Sequence, residues 1–179
     1  VLCLDRINVD HPEPGILSVD ECETVLNLCR EKYPEVLPLL VLNLFCGIRP
    51  SEVRRLGMAN FDFDLNEVEL KGKQTKTRHK RFVDMSDNCV AWMKLGVGLP
   101  ISNITDRWRA SVKTVKAKWG IDKWPHDCLR HSFCSYYLAH HEDAAKTALQ
   151  AGHTESVLFQ HYRKMVRRED AEKFWNIFP

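Results

Sequence analysis

The sequence lacks the features of a membrane-spanning or exported protein. No apolar run reaches the roughly 20 residues that a transmembrane helix requires, and no signal-peptide pattern opens the chain. The cysteines are odd in number, seven, and none forms a C-x-x-C pair. We therefore expect buried, reduced thiols in a cytoplasmic protein, with disulfides or a zinc site as the alternatives.

The chain also lacks internal repeats and low-complexity tracts. Its 179 residues suffice for one domain with a hydrophobic core. Residues 1–14 contain two prolines, and the chain begins with valine rather than methionine. We interpret residues 1–14 as a linker that arrives from a preceding part of a longer protein, and residues 15–179 as the folded domain.

Acidic residues are absent from one stretch of the chain, although the net charge is only +2. Residues 71–81 contain no acid and carry Lys71, Lys73, Lys76, Arg78, Lys80 and Arg81. Residues 105–123 hold only two aspartates and carry Arg107, Arg109, Lys113, Lys116, Lys118 and Lys123. Segregated basic stretches suit a polyanion, although a solvated charged surface would explain them as well.

Hydrophobic periodicity predicts a mainly helical α+β fold. Ser18 and Glu21 form a capping box that starts a helix ending near Tyr33. The segment 35–46 is apolar on nearly every side, which indicates a central buried helix, and Gly47 ends it. Further helices are predicted over 50–56, 87–95, 127–140, 142–151 and 168–178, with another short one around Tyr162. A basic helix that begins at Asn103 or Thr105 is predicted to end at Trp119.

The period changes to that of strands after the third predicted helix. Apolar residues alternate over 61–63 and again over 68–70, on either side of a turn at Asn66, and they return at 82–83. This pattern predicts a small three-stranded antiparallel sheet, with residues 72–80 as a long, basic β-hairpin.

A candidate nucleophile lies near the C-terminus. Gly152 stops one helix, His153 follows at once, and Tyr162 lies nine positions further. A tyrosine nucleophile needs an electrophile and cations that hold it. Arg49 directly follows the apolar helix, where a guanidinium is costly unless it binds an anion. Glu52 is close enough to orient Arg49, and an ion pair of these two without any further role is the alternative.

Three further side chains are candidates for the same site. Lys76 lies at the tip of the predicted hairpin, from which an ammonium group can reach a bound ligand. Arg130 lies near the start of a helix, where backbone N–H groups and the helix dipole favour an anion. His131 beside it is interpreted as a core histidine with a satisfied hydrogen bond. Each of these residues, like His153 and Tyr162, is more often structural than functional when it is considered alone.

Together, and in this order, the residues resemble the tyrosine recombinase or phage-type integrase family. The similarity extends from about residue 15 to the end of the chain. No single segment is specific, but the ordered set is. The matching segments are Cys-Gly-Ile-Arg49-Pro-Ser-Glu52-Val-Arg-Arg-Leu, Lys76 ahead of Arg81-Phe-Val, Leu-Arg130-His-Ser-Phe-Cys-Ser, Ala-Gly-His153 and Tyr162.

The resemblance implies a catalytic domain that cleaves and rejoins DNA strands without a metal or any other cofactor. Tyr162 is implied to attack a phosphodiester and form a 3′-phosphotyrosyl bond. Arg49 and Arg130 would grip the non-bridging oxygens, and His153 would bind the same phosphate. Lys76 would protonate the departing 5′-hydroxyl. Because cations surround the phenol, we expect them to favour its ionised form.

Accessory roles also follow from the resemblance. Glu52 is implied to support Arg49. The family commonly has a histidine three residues before the second arginine, where this chain has Asp127, and His126 lies four before it. Either His126 takes that role through a shifted helix start, or Asp127 occupies the position. Asp127 can also cap the helix that carries Arg130.

The implied partner is double-stranded DNA. The residues expected to contact its backbone phosphates are Lys71, Lys73, Arg78, Lys80, Arg81, Arg107, Arg109, Lys113 and Lys116. The full-length protein is expected to carry an N-terminal core-binding domain ahead of residues 1–14. It should act as a homotetramer on DNA at the nucleoid of a bacterial or phage host, whereas the domain alone could be monomeric. The alternatives are a type IB topoisomerase and a DNA-binding module of the same fold without catalysis.

Overall fold

The computed structural model describes residues 15–75, 79–95, 104–120, 124–156, 158, 162 and 165–179. The helices within them are α1 (Val19–Lys32), α2 (Leu37–Cys46), α3 (Pro50–Val53), α4 (Asp87–Met93), α5 (Ile104–Trp119), α6 (Cys128–His141), α7 (Ala144–Ala151) and α8 (Arg168–Trp175). The strands are β1 (Phe61–Asp62), β2 (Glu67–Leu70) and β3 (Arg81–Asp84), and short 3₁₀ turns occupy Pro34–Val36 and Met58–Asn60. The predicted α+β class, mainly helical, is confirmed.

The first two helices form as their sequences predict. The Glu21 N–H donates to Ser18 Oγ over 3.2 Å, and the Ser18 N–H donates to the Glu21 carboxylate over 2.8 Å, which completes the capping box of α1. Helix α2 is buried at every position. It starts at Leu37 rather than Glu35 because Pro38 has no N–H and is tolerated only in the first turn of an α-helix.

The strands form one antiparallel sheet in the order β1–β2–β3, as predicted. Val68 of β2 lies opposite Val83 of β3, and both are buried, whereas Phe82 is 51% exposed. Since side chains alternate along a strand, Arg81 lies on the same face of β3 as Val83. The predicted hairpin tip, residues 76–78, lies outside the described residues.

Helix α6 packs on α2, and α8 packs on α6. The ring of Phe174 in α8 stacks on Tyr136 of α6 with 4.2 Å between centroids. Helix α8 ends at Trp175, earlier than the predicted residue 178. The chain turns after Trp175 so that the Ile177 carbonyl accepts a hydrogen bond from Trp92 Nε1 over 3.0 Å. The C-terminal helix therefore docks on its own chain.

The described cysteines are free, buried thiols: Cys22, Cys29, Cys46, Cys89, Cys128 and Cys134. Within the described ranges, no three histidine, cysteine or acidic side chains are grouped to hold a metal ion. None of the helices that the structure describes is long and apolar enough to cross a membrane.

Gly47, directly after α2, is a position where a side chain should destabilise the fold. Its φ is 60°, and a Cβ there would lie 2.3 Å from Cδ1 of Phe133. We expect Gly47→Ala to lower the free energy of unfolding by about 1–3 kcal/mol from overpacking. The left-handed backbone should add about 1–2 kcal/mol. Urea denaturation measures the sum.

Two other glycines separate these contributions. Gly120 has a φ of 65° with no atom near the position of a Cβ, so Gly120→Ala should show the backbone cost alone. Gly57 has open space and a φ of −128°, so Gly57→Ala should change stability little. Equal losses for Gly47→Ala and Gly120→Ala would mean that Phe133 moves aside without cost.

Candidate active site

Two helix ends meet at the candidate site. Helix α2 is followed by Gly47 and helix α7 by Gly152, and both glycines adopt left-handed backbone conformations, with φ of 60° and 64°. The last carbonyl groups of a helix lack partners within the helix and carry the negative end of its dipole. Such carbonyls attract cations, and here they receive two guanidinium groups.

These guanidinium groups belong to Arg49 and Arg130. Nη1 of Arg130 donates to the Gly47 carbonyl, and its Nη2 donates to the Ala151 carbonyl over 2.6 Å. Nη2 of Arg49 donates to the Gly152 carbonyl over 2.9 Å. Arg130 is buried, whereas Arg49 is partly exposed. Successive carbonyls at the end of α7 therefore hold the two cations that the sequence predicts to share one phosphate.

Glu52 connects Arg49 to a further arginine. Its carboxylate is 1% exposed and accepts hydrogen bonds from Arg81 through both oxygens, over 3.2 and 2.7 Å. The same carboxylate accepts from the backbone N–H of Arg49 over 3.2 Å and from its Nη1 over 3.4 Å. Glu52 therefore contacts Arg49 directly, and its supporting role stays a prediction.

Arg81 departs from the expectation of a surface contact with DNA. Its side chain is only 12% exposed, and its Nε is buried with no hydrogen-bond partner among the described residues. Gly152 makes room for it, since a Cβ there would lie 3.1 Å from Cζ of Arg81. A buried carboxylate is stable only with paired charge, and Arg81 supplies that charge to Glu52. The expected surface role is therefore corrected to a buried ion pair inside the site.

The electrostatics of the site favour an anion. Burial opposes ionisation of Glu52, but the hydrogen bonds and charge of Arg81, followed by those of Arg49, hold its pKa below the ordinary value. Burial lowers the pKa of Arg130 to about 10, which still leaves it charged at neutral pH. Three guanidinium groups thus face one carboxylate.

Tyr162 is buried and lies close enough to Arg130 for the guanidinium charge to act on the phenol. Its hydroxyl is 2.5 Å from Nδ1 of His131, and its ring centroid is 6.4 Å from that of His153. The Tyr162 N–H donates to the Leu158 carbonyl over 2.9 Å, which is a helical contact. Most of the short helix predicted around Tyr162 lies outside the described residues. The fold brings Arg49, Arg130, His153 and Tyr162 together.

The ionised form of Tyr162 is not favoured, contrary to the expectation from its cationic surroundings. Burial raises the pKa of the phenol, and the Cys134 thiol adds to the rise. The charge of Arg130 lowers this pKa but is outweighed. The desolvation of the phenol was not visible in the sequence. If Tyr162 is the nucleophile that the sequence predicts, the folded domain holds it as the neutral phenol at neutral pH.

The residues before α6 adopt an unusual helix start. Asp127 occupies the N-cap position with a φ of 48°, and its side chain makes no capping hydrogen bond, so the predicted cap is wrong. A capping side chain needs an extended backbone at that position, which the left-handed conformation does not provide. His126 is 91% exposed and lies 3.7 Å from the Asp127 carboxylate. Neither residue shows a hydrogen bond to the phenol among the described contacts.

The predicted basic hairpin is described only in part. Lys76 and Arg78 lie outside the described residues, so the general-acid role of Lys76 stays a prediction. Lys71 and Lys73, which precede the gap, are exposed. Lys80, which follows it, is also exposed and binds a glutamate of β2 over 2.8 Å.

Helix α5 presents most of its predicted DNA contacts at the surface, but Arg107 is engaged elsewhere. Arg107 binds the Glu35 carboxylate, and its guanidinium lies 5.2 Å from the ring centre of Tyr33. The Arg107 side chain is still 47% exposed, so its contact with DNA phosphates stays a prediction. The others on this helix lie at or near the surface: Arg109, Lys113 and Lys116.

The positions of Arg81 and His131 in the site were not predicted. The burial of Arg81 could have been predicted from the alternation of side chains along β3, because Arg81 lies on the same face as the buried Val83. No local pattern marks His131, since its contact depends on where Tyr162 arrives in the folded chain.

Most of the chain matches one family of known proteins. A family model described as the phage integrase family matches residues 16–168. None of the curated protein sequences matches the chain significantly.

Solved structures with a similar fold include a recombinase, a bacteriophage integrase and a transposon integrase. XerA recombinase is 16% identical with a TM-score of 0.65, and the alignment covers 96% of this chain but only 65% of that one. The catalytic domain of bacteriophage HP1 integrase is 18% identical with a TM-score of 0.66, covering 83% and 87%. The Tn1549 transposon integrase, in complex with a circular intermediate DNA, is 14% identical with a TM-score of 0.68, covering 96% and 68%. These likenesses establish the fold.

Proposed function

The chain belongs to the phage integrase family, and from that membership we propose that it is the catalytic domain of a site-specific DNA recombinase. In this proposal the domain cleaves a DNA strand and rejoins strands through a 3′-phosphotyrosyl bond to Tyr162. One observation carries it: the fold holds Arg49, Arg130 and His153 around a buried tyrosine, with both guanidinium groups fixed by helix-end carbonyls.

Arg49 and Arg130 would bind the scissile phosphate. A guanidinium has five N–H groups, and the carbonyl bonds of Arg130 use two of them. The remaining N–H groups can donate to the non-bridging oxygens while the carbonyls keep the fork in place. Donors fixed in advance stabilise the charge that grows on these oxygens in the transition state.

His153 and Lys76 would complete the reaction. The His153 N–H donates to the Ala148 carbonyl over 2.9 Å, which fixes the turn after α7 and sets the imidazole beside Tyr162. From this position His153 would bind the same phosphate. Lys76 is the proposed general acid for the 5′-oxygen, by resemblance to the family. The covalent bond keeps the energy of the broken phosphodiester, so rejoining needs no nucleotide cofactor.

Double-stranded DNA is the proposed partner. It is supported by the exposed basic residues and by the DNA in the Tn1549 integrase complex. The proposal includes a homotetramer on DNA at the nucleoid. Because surface lysines and arginines would contact phosphates, DNA binding should weaken steeply with salt.

The proposal is tested with the protein and a library of nicked DNA duplexes that carry a randomised central segment. The nick lets the short strand with the new 5′-hydroxyl diffuse away, which traps the covalent complex. In buffer with EDTA, the wild type should give a protein–DNA band on a denaturing gel. Tyr162→Phe should give none, although it binds the library as well as the wild type on a native gel.

Two outcomes would contradict the proposal. A band that persists in Tyr162→Phe would assign attachment to another residue. No band from the wild type, with DNA binding retained, would favour a DNA-binding module without catalysis. Sequencing of the captured DNA supplies a defined duplex, called here the captured duplex, for the later experiments.

A further inference from the structure

The contact between His131 and Tyr162 is not accounted for by the roles given so far. His131 lies near the start of α6, directly after Arg130. Its Nδ1 is 2.5 Å from the Tyr162 hydroxyl, and the two ring centroids are 5.7 Å apart. This is a hydrogen bond to the atom that would become the nucleophile.

We propose that His131 is the general base that takes the proton of Tyr162 during strand cleavage, an inference that rests on the proposed function. In the neutral imidazole with a bare Nδ1, the phenol O–H donates to that nitrogen. As the phenol oxygen forms its bond to phosphorus, the proton passes to Nδ1, and the bond from phosphorus to the 5′-oxygen breaks. The 5′-oxygen takes its proton from the general acid, for which Lys76 is proposed. When the strand is rejoined, the imidazolium returns its proton to the phenol.

The need for a base follows from the surroundings of the phenol. Burial raises the pKa of Tyr162, and the nearby guanidinium charge does not reverse this. The neutral phenol is a poor nucleophile. If it attacked phosphorus without a proton acceptor, its oxygen would keep the proton and become positively charged and strongly acidic. A hydrogen-bonded imidazole, the side chain that most often acts as a general base in enzymes, removes that obstacle.

Other side chains near the phenol fit this role less well. Burial raises the pKa of the Cys134 thiol to about 11, so the thiol is neutral and does not accept a proton at neutral pH. His153 is 6.4 Å from Tyr162 between ring centroids and is proposed to bind the phosphate. His126, the candidate for the usual family histidine, is 91% exposed. His131 is the imidazole whose hydrogen bond to the phenol hydroxyl is among the described contacts.

The test compares His131→Asn with the wild type on the captured duplex. An asparagine amide can occupy the place of Nδ1 and keep a hydrogen bond to the phenol, but it cannot take a proton. Single-turnover covalent attachment should fall by about 10²–10⁴-fold, with DNA binding and Tm unchanged. His140→Asn is the matched control, because it makes the same substitution on the same helix, where the ring packs against Trp175. It should cleave like the wild type.

A second substrate separates a base from an acid. In this substrate, sulfur replaces the 5′-bridging oxygen of the scissile phosphate. The thiolate leaves without being protonated, so the reaction does not need a general acid. His131→Asn should still form the covalent bond more slowly than the wild type on this substrate, because the variant lacks the base that removes the proton of Tyr162. Full rescue by sulfur would overturn the inference and assign His131 to the leaving group.

The outcomes distinguish this inference from the proposed function. If the wild type forms a Tyr162-dependent adduct and His131→Asn forms it at the same rate, the inference is wrong and the recombinase chemistry stands. If the wild type forms no such adduct, the proposed function is wrong, and the role proposed for His131 is wrong with it.

Discussion

Arg130→Ala is expected to slow covalent attachment to the captured duplex by about 10²–10³-fold, the loss typical of one fixed oxyanion donor. Arg130 is held by the Gly47 and Ala151 carbonyls, so its remaining N–H groups are aimed before substrate arrives. Arg130→Lys should restore little, because one ammonium group cannot bond two carbonyls and still offer a bidentate fork to a phosphate. Single-turnover kinetics at saturating DNA measure the effect on the chemical step.

Removing Arg130 should also lower the stability of the fold, and this effect has to be separated from the effect on the rate of covalent attachment. Two helix-end carbonyls would lose their donor, each at a cost of about 1–3 kcal/mol. Rates are therefore compared well below the Tm of each variant. Arg30→Ala, which removes an exposed arginine from α1, should leave the rate unchanged. Cleavage by Arg130→Ala at the wild-type rate would refute the phosphate-binding role.

The fold was predictable where local patterns decide the structure. The capping box at Ser18 places the start of α1, the unbroken apolar run marks α2 as the central helix, and the alternation between residues 61 and 83 marks the sheet. The family resemblance supplied residues that the fold does bring together: Arg49, Arg130, His153 and Tyr162. Arg49, Arg130 and His153 stand at or near the ends of helices, where capping residues mark the boundaries in the sequence.

The rest depends on contacts that no local pattern encodes. Arg81 meets Glu52 from 29 residues away, and His131 meets Tyr162 from 31 residues away. The sequence shows the cations around Tyr162 but not its burial, so the direction of its pKa shift could not be predicted correctly. The left-handed backbone of Asp127 and the exposure of His126 could likewise not be predicted from the sequence.

Arg81→Ala is expected to destabilise the fold strongly. It would leave the Glu52 carboxylate, 1% exposed, without its bidentate partner, and removing one member of a buried pair costs about 3–5 kcal/mol. Lys80→Ala is the control. Lys80 directly precedes Arg81 and forms an exposed ion pair with Glu69, so its removal should change the free energy of unfolding little. A loss for Arg81→Ala no larger than that for Lys80→Ala would show that the buried pair does not stabilise the fold.

The same variant has a defined pH dependence. Arg81, followed by Arg49, lowers the folded-state pKa of Glu52 despite its burial. A lowered folded pKa contributes stability above the unfolded value of about 4.3, and this contribution is lost as the pH falls through the folded pKa. The gap in unfolding free energy between wild type and Arg81→Ala should therefore be widest near neutral pH and narrow in acid. Urea denaturation at a series of pH values measures it, and a gap that stays constant into acid would mean that Arg81 stabilises the fold through packing rather than through the charge of Glu52.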